Sequence, residues 1–400
     1  MSLTGHRTNG GTAGVLAPRV AIVYPGDSRR ADTRSGTPHG LARGLEAAGA
    51  RVEHVSAEPS PAAFALAKNL LAFGNLRRAS GSGPTARLRA ARAVAITSPR
   101  MSSFQTRTAR RRLHAAGELN GVIQVGTGYL LAPVAPIATH DDMTVAQALE
   151  HGYPQWRALT ARAAQARLDL QRRAYEAAAA CCVTSRWAAE SVVNDYDVPR
   201  EKVHVVGVGR NHSPEPLERD WDTPRFLFVG KDWERKNGPA VLRAFERLRR
   251  DVPGARLELV GGHPPVHAEN VTGHGMLRVS DKADRNRLDR LFGASTCFVM
   301  PSWHEPFGIV FSEASAAGMP SIGTTAGGCA ELIEPIGRVV HPADDDALVA
   351  AMLELADPDT ARQLGAAARE RAELFTWEAV GERMLRALGI ARERPGAGPG

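Results

Sequence analysis

Short apolar runs alternate with longer amphipathic segments along most of this chain, a pattern that predicts strands joined by helical crossovers. RVAIVY at residues 19–24 reads as a buried first strand. A Gly-rich loop over residues 25–38 leads to a helix from about His39 to Ala48, closed by Gly49, and residues 51–55 form a second strand. This βαβ opening argues for a parallel sheet. Strands follow at 121–125 and 136–139, then one long helix over 155–180 and a strand over 181–184. Ser185 suits the N-cap of a helix RWAAESVVNDY, and a strand over 202–208 closes the first half. The second half repeats the alternation: strands at 225–229, 255–260, 296–300 and 337–340, with helices at 284–293, from Asp345, and over 377–388. Between the last strands, a helix is expected to start through Glu305 and Pro306, run to Ala317 and stop at Gly318, with Pro320 just beyond.

Composition narrows the class. Four hundred residues suffice for two domains with separate cores, and 43% hydrophobic with 23% charged residues is ordinary for a soluble globular protein. Four cysteines, two of them adjacent in an apolar run, argue against a disulfide framework and make a reducing cytoplasm the default. There is no apolar run long enough to span a bilayer, and MSLTGHRTNGGTAGVLAP lacks the apolar centre of a signal peptide. The net charge of +7 favours anionic ligands or surfaces. No helix-turn-helix, aromatic RNA platform or zinc module accompanies it, so nucleic acid is not an expected partner. Residues 61–79 are amphipathic, with Phe64, Leu70, Leu71 and Phe73 set against Lys68, Arg77 and Arg78, and an Arg-rich stretch continues to Arg112. The expectation is a helix packed on the sheet with a solvated basic rim. The sharper alternative is a surface for an anionic membrane or an anionic acceptor.

The chemistry concentrates in residues 297–333. Glu305 and Glu313 are eight positions apart, roughly 12 Å along a helix axis. One carboxylate then sits at the helix mouth and the other more than two turns in. The N–H groups of Phe307, Gly308 and Ile309 would leave that mouth as an anion site. A ligand with phosphate in the middle and hydroxyls at both ends fits this layout, and a nucleotide-sugar has that shape. Upstream, Lys231 and Lys236 are five apart at a strand-to-helix junction after Gly230, where both can converge on one diphosphate.

PSWHEPFGIVFSEASAAGMP, followed by Gly327, Gly328 and Glu331, resembles the retaining glycosyltransferases of family 4, which have the GT-B fold. The resemblance implies an α/β protein of two Rossmann-like domains facing a central cleft. The implied division is a flexible lead at 1–18, an acceptor domain at 19–210, a linker at 211–224 and a nucleotide-sugar domain at 225–376. A helix over 377–390 would return to the first domain, ahead of a disordered tail at 391–400. It also implies transfer of a sugar, with retention of configuration, from a nucleoside diphosphate sugar to a hydroxyl of a small-molecule, glycan or lipid-linked acceptor. Glu305, with the backbone of Phe307 and Gly308, would hold the sugar hydroxyls. Glu313 would hold the ribose. Lys231, Lys236 and the helix N-terminus, with Ile309, would stabilise the diphosphate. Gly275 and Met276 would face the base, and PIATHDD would deliver His140, with Asp141 behind it, to the sugar. Ser35-Gly36-Thr37 resembles the family's first cleft loop.

Some letters depart from the family. Lys231 stands where Arg is common, which keeps the charge and loses the bidentate fork. Asn237 stands where Gly is usual, and Gly207-Val208-Gly209 replaces a Pro-x-Gly turn. Asp220-Trp221-Asp222 has the spacing of metal-dependent transferases but falls in the linker, and Asp344 to Asp346 reads as a helix start. No metal or other cofactor is therefore expected. Two rivals remain on the same fold: a sugar phosphorylase, which would not need Glu313 for a nucleotide, and a non-catalytic regulatory subunit, which would not need Glu305 or Lys236.

Overall fold

The computed structural model describes residues 17–76, 83–157, 159–214 and 218–390. Most of the expected lead, the tail at 391–400, and Arg77 and Arg78 lie outside the described residues. The apolar runs become twelve strands in two six-stranded sheets. The first holds β1 (Arg19–Tyr24), β2 (Arg51–Ser56), β3 (Gly121–Val125), β4 (Ile137–Asp141), β5 (Ala180–Val183) and β6 (Val203–Val205), in the order β2-β1-β3-β4-β5-β6. The second holds β7 (Arg225–Gly230), β8 (Arg256–Gly261), β9 (Val271–Gly273), β10 (Cys297–Val299), β11 (Ser321–Thr324) and β12 (Gly337–Val340), in the order β12-β11-β10-β7-β8-β9. Every pairing is parallel. These are two Rossmann-like domains in the GT-B arrangement.

Parallel strands covered by helices on both faces bury both sides, which is why they read as continuous apolar runs. β5 makes the point with its two cysteines: Cys181 lies in the core on one face of the first sheet and Cys182 in the core on the other. All four cysteines are buried free thiols. In each sheet the strand order reverses once, between β1 and β3 and between β7 and β10. Loops leaving the carboxyl ends of strands at such a reversal diverge and open a crevice, the favoured ligand position of open α/β sheets.

The crossover between β2 and β3 is unusually long: α2 (Pro61–Asn75), α3 (Pro84–Ile96) and α4 (Pro99–Ala115) follow α1 (Thr37–Ala47). α4 packs on the sheet through Ala109 and Leu113. α2 does not behave as expected: Leu66, Leu70 and Phe73 are 62%, 66% and 78% exposed. Among the described residues, Leu71 and Ala72 of α2, with Leu76 just beyond it, meet a small cluster with Ala90, Ala91 and Ala95 of α3. The long helix expected over 155–180 is also two pieces, Pro154–Arg157 and Ala161–Ala177. The second starts where the Thr160 hydroxyl accepts from the Ala163 N–H.

The last helix, Trp377–Ala387, lies across α1 of the first domain. A Cβ added at Gly40 or Gly44 would stand 2.0 or 1.9 Å from Trp377, and one at Gly381 would stand 2.3 Å from the Gly44 carbonyl oxygen. Glycine at all three positions permits this close crossing.

Candidate functional site

Beside the reversal of the second sheet, which falls between β7 and β10, the neighbouring strands β7 and β8 end in Gly230 and Gly261. Gly261 has φ +124°, and a Cβ there would stand 1.9 Å from the Gly230 carbonyl oxygen. The strand ends therefore touch backbone to backbone, and the loops beyond them splay apart. Lys231, Trp233, Gly262, His263 and Pro264 line an open depression of about 560 Å³ between those loops. Lys231 is exposed on its rim, within electrostatic reach of Asp32 in the first domain. Gly275, with φ +62° and open space above its Cα, donates its N–H to His263 Nε2 at 3.0 Å. Met276 beside it is 52% exposed.

The chain then turns through Asn237, buried in left-handed conformation at φ 59°, with its amide donating to the Pro342 carbonyl at 2.7 Å. Asn tolerates this conformation better than most residues, which explains its presence where Gly is usual. The turn aims Lys236 back at Glu305: the ammonium of Lys236 is ion-paired with Glu305 Oε2, and both side chains are largely buried. Arg235 adds a second cation, with Nη1 3.9 Å from the same oxygen and 3.2 Å from the His304 carbonyl it donates to. The Arg235 carbonyl in turn accepts from the Trp303 N–H at 3.0 Å, so the basic turn and the acidic loop form one unit. Sequence reasoning missed Arg235, whose only signal was its place beside Lys236.

The helix after Glu305 begins later than expected. It spans Ile309–Ala316, with Gly308 at its N-cap in left-handed conformation at φ 79°. Glu305 and Pro306 are held outside it because the Glu305 N–H donates to the Ala326 carbonyl at 2.9 Å, and Gly327 packs against the Glu305 carbonyl. A Cβ on Gly327 would stand 2.2 Å from that oxygen, so the glycine pair serves to admit the loop. The amides of Phe307 and Gly308 are thus loop amides rather than the open end of a helix. The helix-start groups are those of Ile309 and Val310, since Phe311 N–H already donates to the Gly308 carbonyl at 2.9 Å. The expected helix stop at Gly318 holds, with φ 71°.

Glu313 points elsewhere. It is buried, and its carboxylate accepts from the backbone N–H groups of Asn211 and His212 in the linker. Desolvation pushes its pKa up to about 8 despite those hydrogen bonds, so the group is largely protonated near neutrality. The Asn211 side chain completes a junction: its amide donates to the Ser35 carbonyl at 2.7 Å, and its oxygen accepts from Trp377 Nε1 at 3.2 Å. Gly36 stands against it, a Cβ there lying 2.9 Å from Asn211 Oδ1. Arg34, Ser35 and Gly36 all have positive φ, a strained loop at the reversal of the first sheet. Asn211 carried no signal in the sequence because its three partners come from three distant segments.

His140 lies at the end of β4, buried, with Nε2 3.4 Å from the Gly207 carbonyl. Burial, helped by nearby Arg34, lowers its pKa to about 4, so the ring is neutral. Asp141 behind it is buried too and raised to about 7 by desolvation. It accepts from Thr127 at 3.3 Å and Tyr175 at 3.4 Å. Asp142 pairs with Arg34 at 3.2 Å.

The two halves of the site meet at a seam. His304 packs on Tyr153 and His151 of the first domain, with ring centroids 4.2 and 5.9 Å apart. Glu331 Oε1 accepts from the Trp187 N–H at 2.8 Å, capping the helix Arg186–Tyr196 from across the cleft. Asp220 accepts from the N–H groups of Asp222 and Thr223 in its own turn, and Asp344 caps the helix Asp345–Glu354. Both carboxylates are thus engaged within their own turns, and no group of three or more metal-ligating side chains occurs among the described residues.

Comparison with known proteins accords with this geometry. Residues 37–209 match the family described as glycosyl transferase 4-like domain, and residues 210–371 match glycosyl transferases group 1. The alpha-maltose-1-phosphate synthase of Mycolicibacterium smegmatis is 30% identical over 307 residues, covering 68% of this chain and 74% of that protein. The D-inositol 3-phosphate glycosyltransferase of a Nocardioides species is 27% identical over 253 residues, covering 55% of each chain. Among solved structures, sucrose-phosphate synthase from Thermosynechococcus elongatus superposes with TM-score 0.65 at 21% identity, covering 92% of this chain and 98% of that one. WaaG, a glycosyltransferase involved in lipopolysaccharide biosynthesis, superposes with TM-score 0.60 at 16% identity, covering 93% and 99%. These two share the fold. Taken with the sequence matches, they make the chain a GT-B enzyme of the family 4 type, belonging to the group 1 glycosyltransferases.

Proposed function

We propose that this enzyme transfers a sugar, with retention of anomeric configuration, from a nucleoside diphosphate sugar to a hydroxyl of a small-molecule, glycan or lipid-linked acceptor. The Lys236–Glu305 pair carries the reading. An ammonium and a carboxylate held together at the reversal of the second sheet supply a cation for a departing diphosphate and an acceptor for sugar hydroxyls side by side. Arg235 adds positive charge at the same point, and Lys231 stands at the rim of the adjoining depression. The Gly275–Met276 edge offers backbone and an exposed thioether to a base.

His140, neutral and buried at the end of β4, is the proposed hydrogen-bond partner for the transferred sugar. Ribose recognition by Glu313 requires that its contact with the Asn211 and His212 amides be released or shared, which ties donor binding to the linker. Cationic side chains take the role that a metal plays in other transferases, so no metal is needed. No described helix is long and apolar enough to cross a membrane; a cytoplasmic site of action, where sugar nucleotides are made, is part of the same proposal.

The relatives' names include a synthase of a sugar phosphate and a glycosyltransferase named for an inositol phosphate, which favours transfer over phosphorolysis for this chain as well. Calorimetric titration with nucleoside diphosphates separates the two: a transferase binds them and loses the affinity in Lys236→Ala, whereas a phosphorylase does not bind them. NMR of the product from an α-linked donor tests retention, with a β-linked product contradicting it.

A further inference from the structure

Between Glu58 and Glu118 the sequence contains eleven Lys and Arg residues and no Asp or Glu. The rest of the chain then carries 39 basic against 43 acidic residues, so this one segment accounts for more than the whole net charge of +7. It forms α2, α3 and α4, the long crossover of the first domain. The apolar side chains left uncovered there lie on or beside the helices that carry those charges. On α2, Leu66, Leu70 and Phe73 are spaced four and three residues apart, one stripe, and are the most exposed large hydrophobic side chains among the described residues. Arg92 of α3 donates to Asn69 at 3.1 Å, which sets a guanidinium beside that stripe. On α4, Arg100, Phe104, Arg107 and Arg111 fall on one exposed face, with Phe104 46% exposed.

We infer that this three-helix face docks on an anionic membrane, with Leu66, Leu70 and Phe73 entering the acyl boundary and the arginines meeting the headgroups. An exposed leucine and phenylalanine stripe on α2, beside two helices rich in arginine and free of Asp and Glu, matches an interfacial lipid surface on both counts. An acidic protein or nucleic acid would satisfy the charge and leave the stripe without a partner. The face is also well placed for transfer at a membrane. On its buried side α4 holds the loop that leaves β3, directly where Thr106 Oγ1 accepts from the Leu130 N–H at 3.1 Å, and through Arg167, which donates to Ser102 Oγ at 2.5 Å and to the Gly128 carbonyl at 3.1 Å.

The test is co-sedimentation of the full chain with vesicles of phosphatidylglycerol mixed into phosphatidylcholine, against phosphatidylcholine alone. It needs no sugar nucleotide, so it stands apart from the transferase reading. The expected result is binding to the anionic vesicles only, weakened at least about tenfold in the triple variant Leu66→Gln, Leu70→Gln, Phe73→Gln and likewise in Arg107→Glu, Arg111→Glu. Circular dichroism melts check that both variants fold; because all five side chains are exposed, no large change is expected. Failure of the parent chain to bind anionic vesicles overturns the proposal. So does unchanged binding by the triple variant, which would make the contact purely electrostatic, or displacement of the vesicles by duplex DNA at equal charge concentration.

Discussion

At the residue scale, the site depends on a buried carboxylate and the cations gathered round it. Replacing Lys236 with Met removes the nearer cation while leaving Arg235 to hold Glu305, so folding should survive and kcat/KM for the donor should fall about a hundredfold or more in steady-state assays, with weaker donor binding as well as slower turnover. Glu313 makes a different prediction. Its folded pKa is raised to about 8 against an ordinary value of 4.5, so the folded state holds a proton that the unfolded state has lost. Stability from this group is greatest at or below pH 4.5 and declines as pH climbs toward 8. Glu313→Gln removes that dependence, so the melting point of the variant should gain on the parent steadily between those pH values. A parallel decline in both proteins would show that Glu313 is ionised when folded. His140 runs the opposite way: its folded pKa near 4 lies below the usual 6.5, so its contribution is intact above pH 6.5 and is lost as pH falls toward 4.

At the element scale, the acidic loop and the short helix after it are set by glycine. Gly308→Ala would place a Cβ 2.6 Å from the Phe311 ring at a φ of 79°, and should cost about 2 kcal/mol in denaturant titrations, along with activity. This is also where sequence reasoning went astray. Pro306 looked like a first helical residue, but the Glu305 N–H pairs with Ala326 on another segment, and that tertiary bond keeps the chain out of the helix until Ile309. The strands were legible because parallel strands buried on both faces read as plain apolar runs. The helix over 155–180 was not, since its break depends on Thr160 capping rather than on any lapse in the pattern. The stripe on α2 looked like a core face because Leu70 and Phe73 have helical spacing; that spacing fixes which residues share a face and leaves open what the face meets.

At the scale of the whole molecule, the two domains are joined by the linker junction at Asn211, the helix Trp377–Ala387 on α1, and the seam from His304 and Glu331. The motif residues of the candidate site were legible one by one. Their grouping was not: Lys236 with Glu305 follows from the turn at Asn237, and Glu313 with Asn211 follows from the course of the linker. Trp377→Ala should weaken the hold of the last helix on the first domain, where the ring fills the space above Gly40 and Gly209, at a cost on the order of 3 kcal/mol in thermal or denaturant unfolding. The central claim, a nucleoside diphosphate sugar held at the Lys236–Glu305 pair, is tested most directly by the melting temperature of the protein in a panel of UDP-, GDP-, ADP- and TDP-sugars. At a concentration about a hundredfold above Kd, the right donor should add about 2.7 kcal/mol of stability and raise the melting point by a few degrees, an increase lost in Lys236→Met. No shift with any donor, or an equal shift in the variant, would contradict the account.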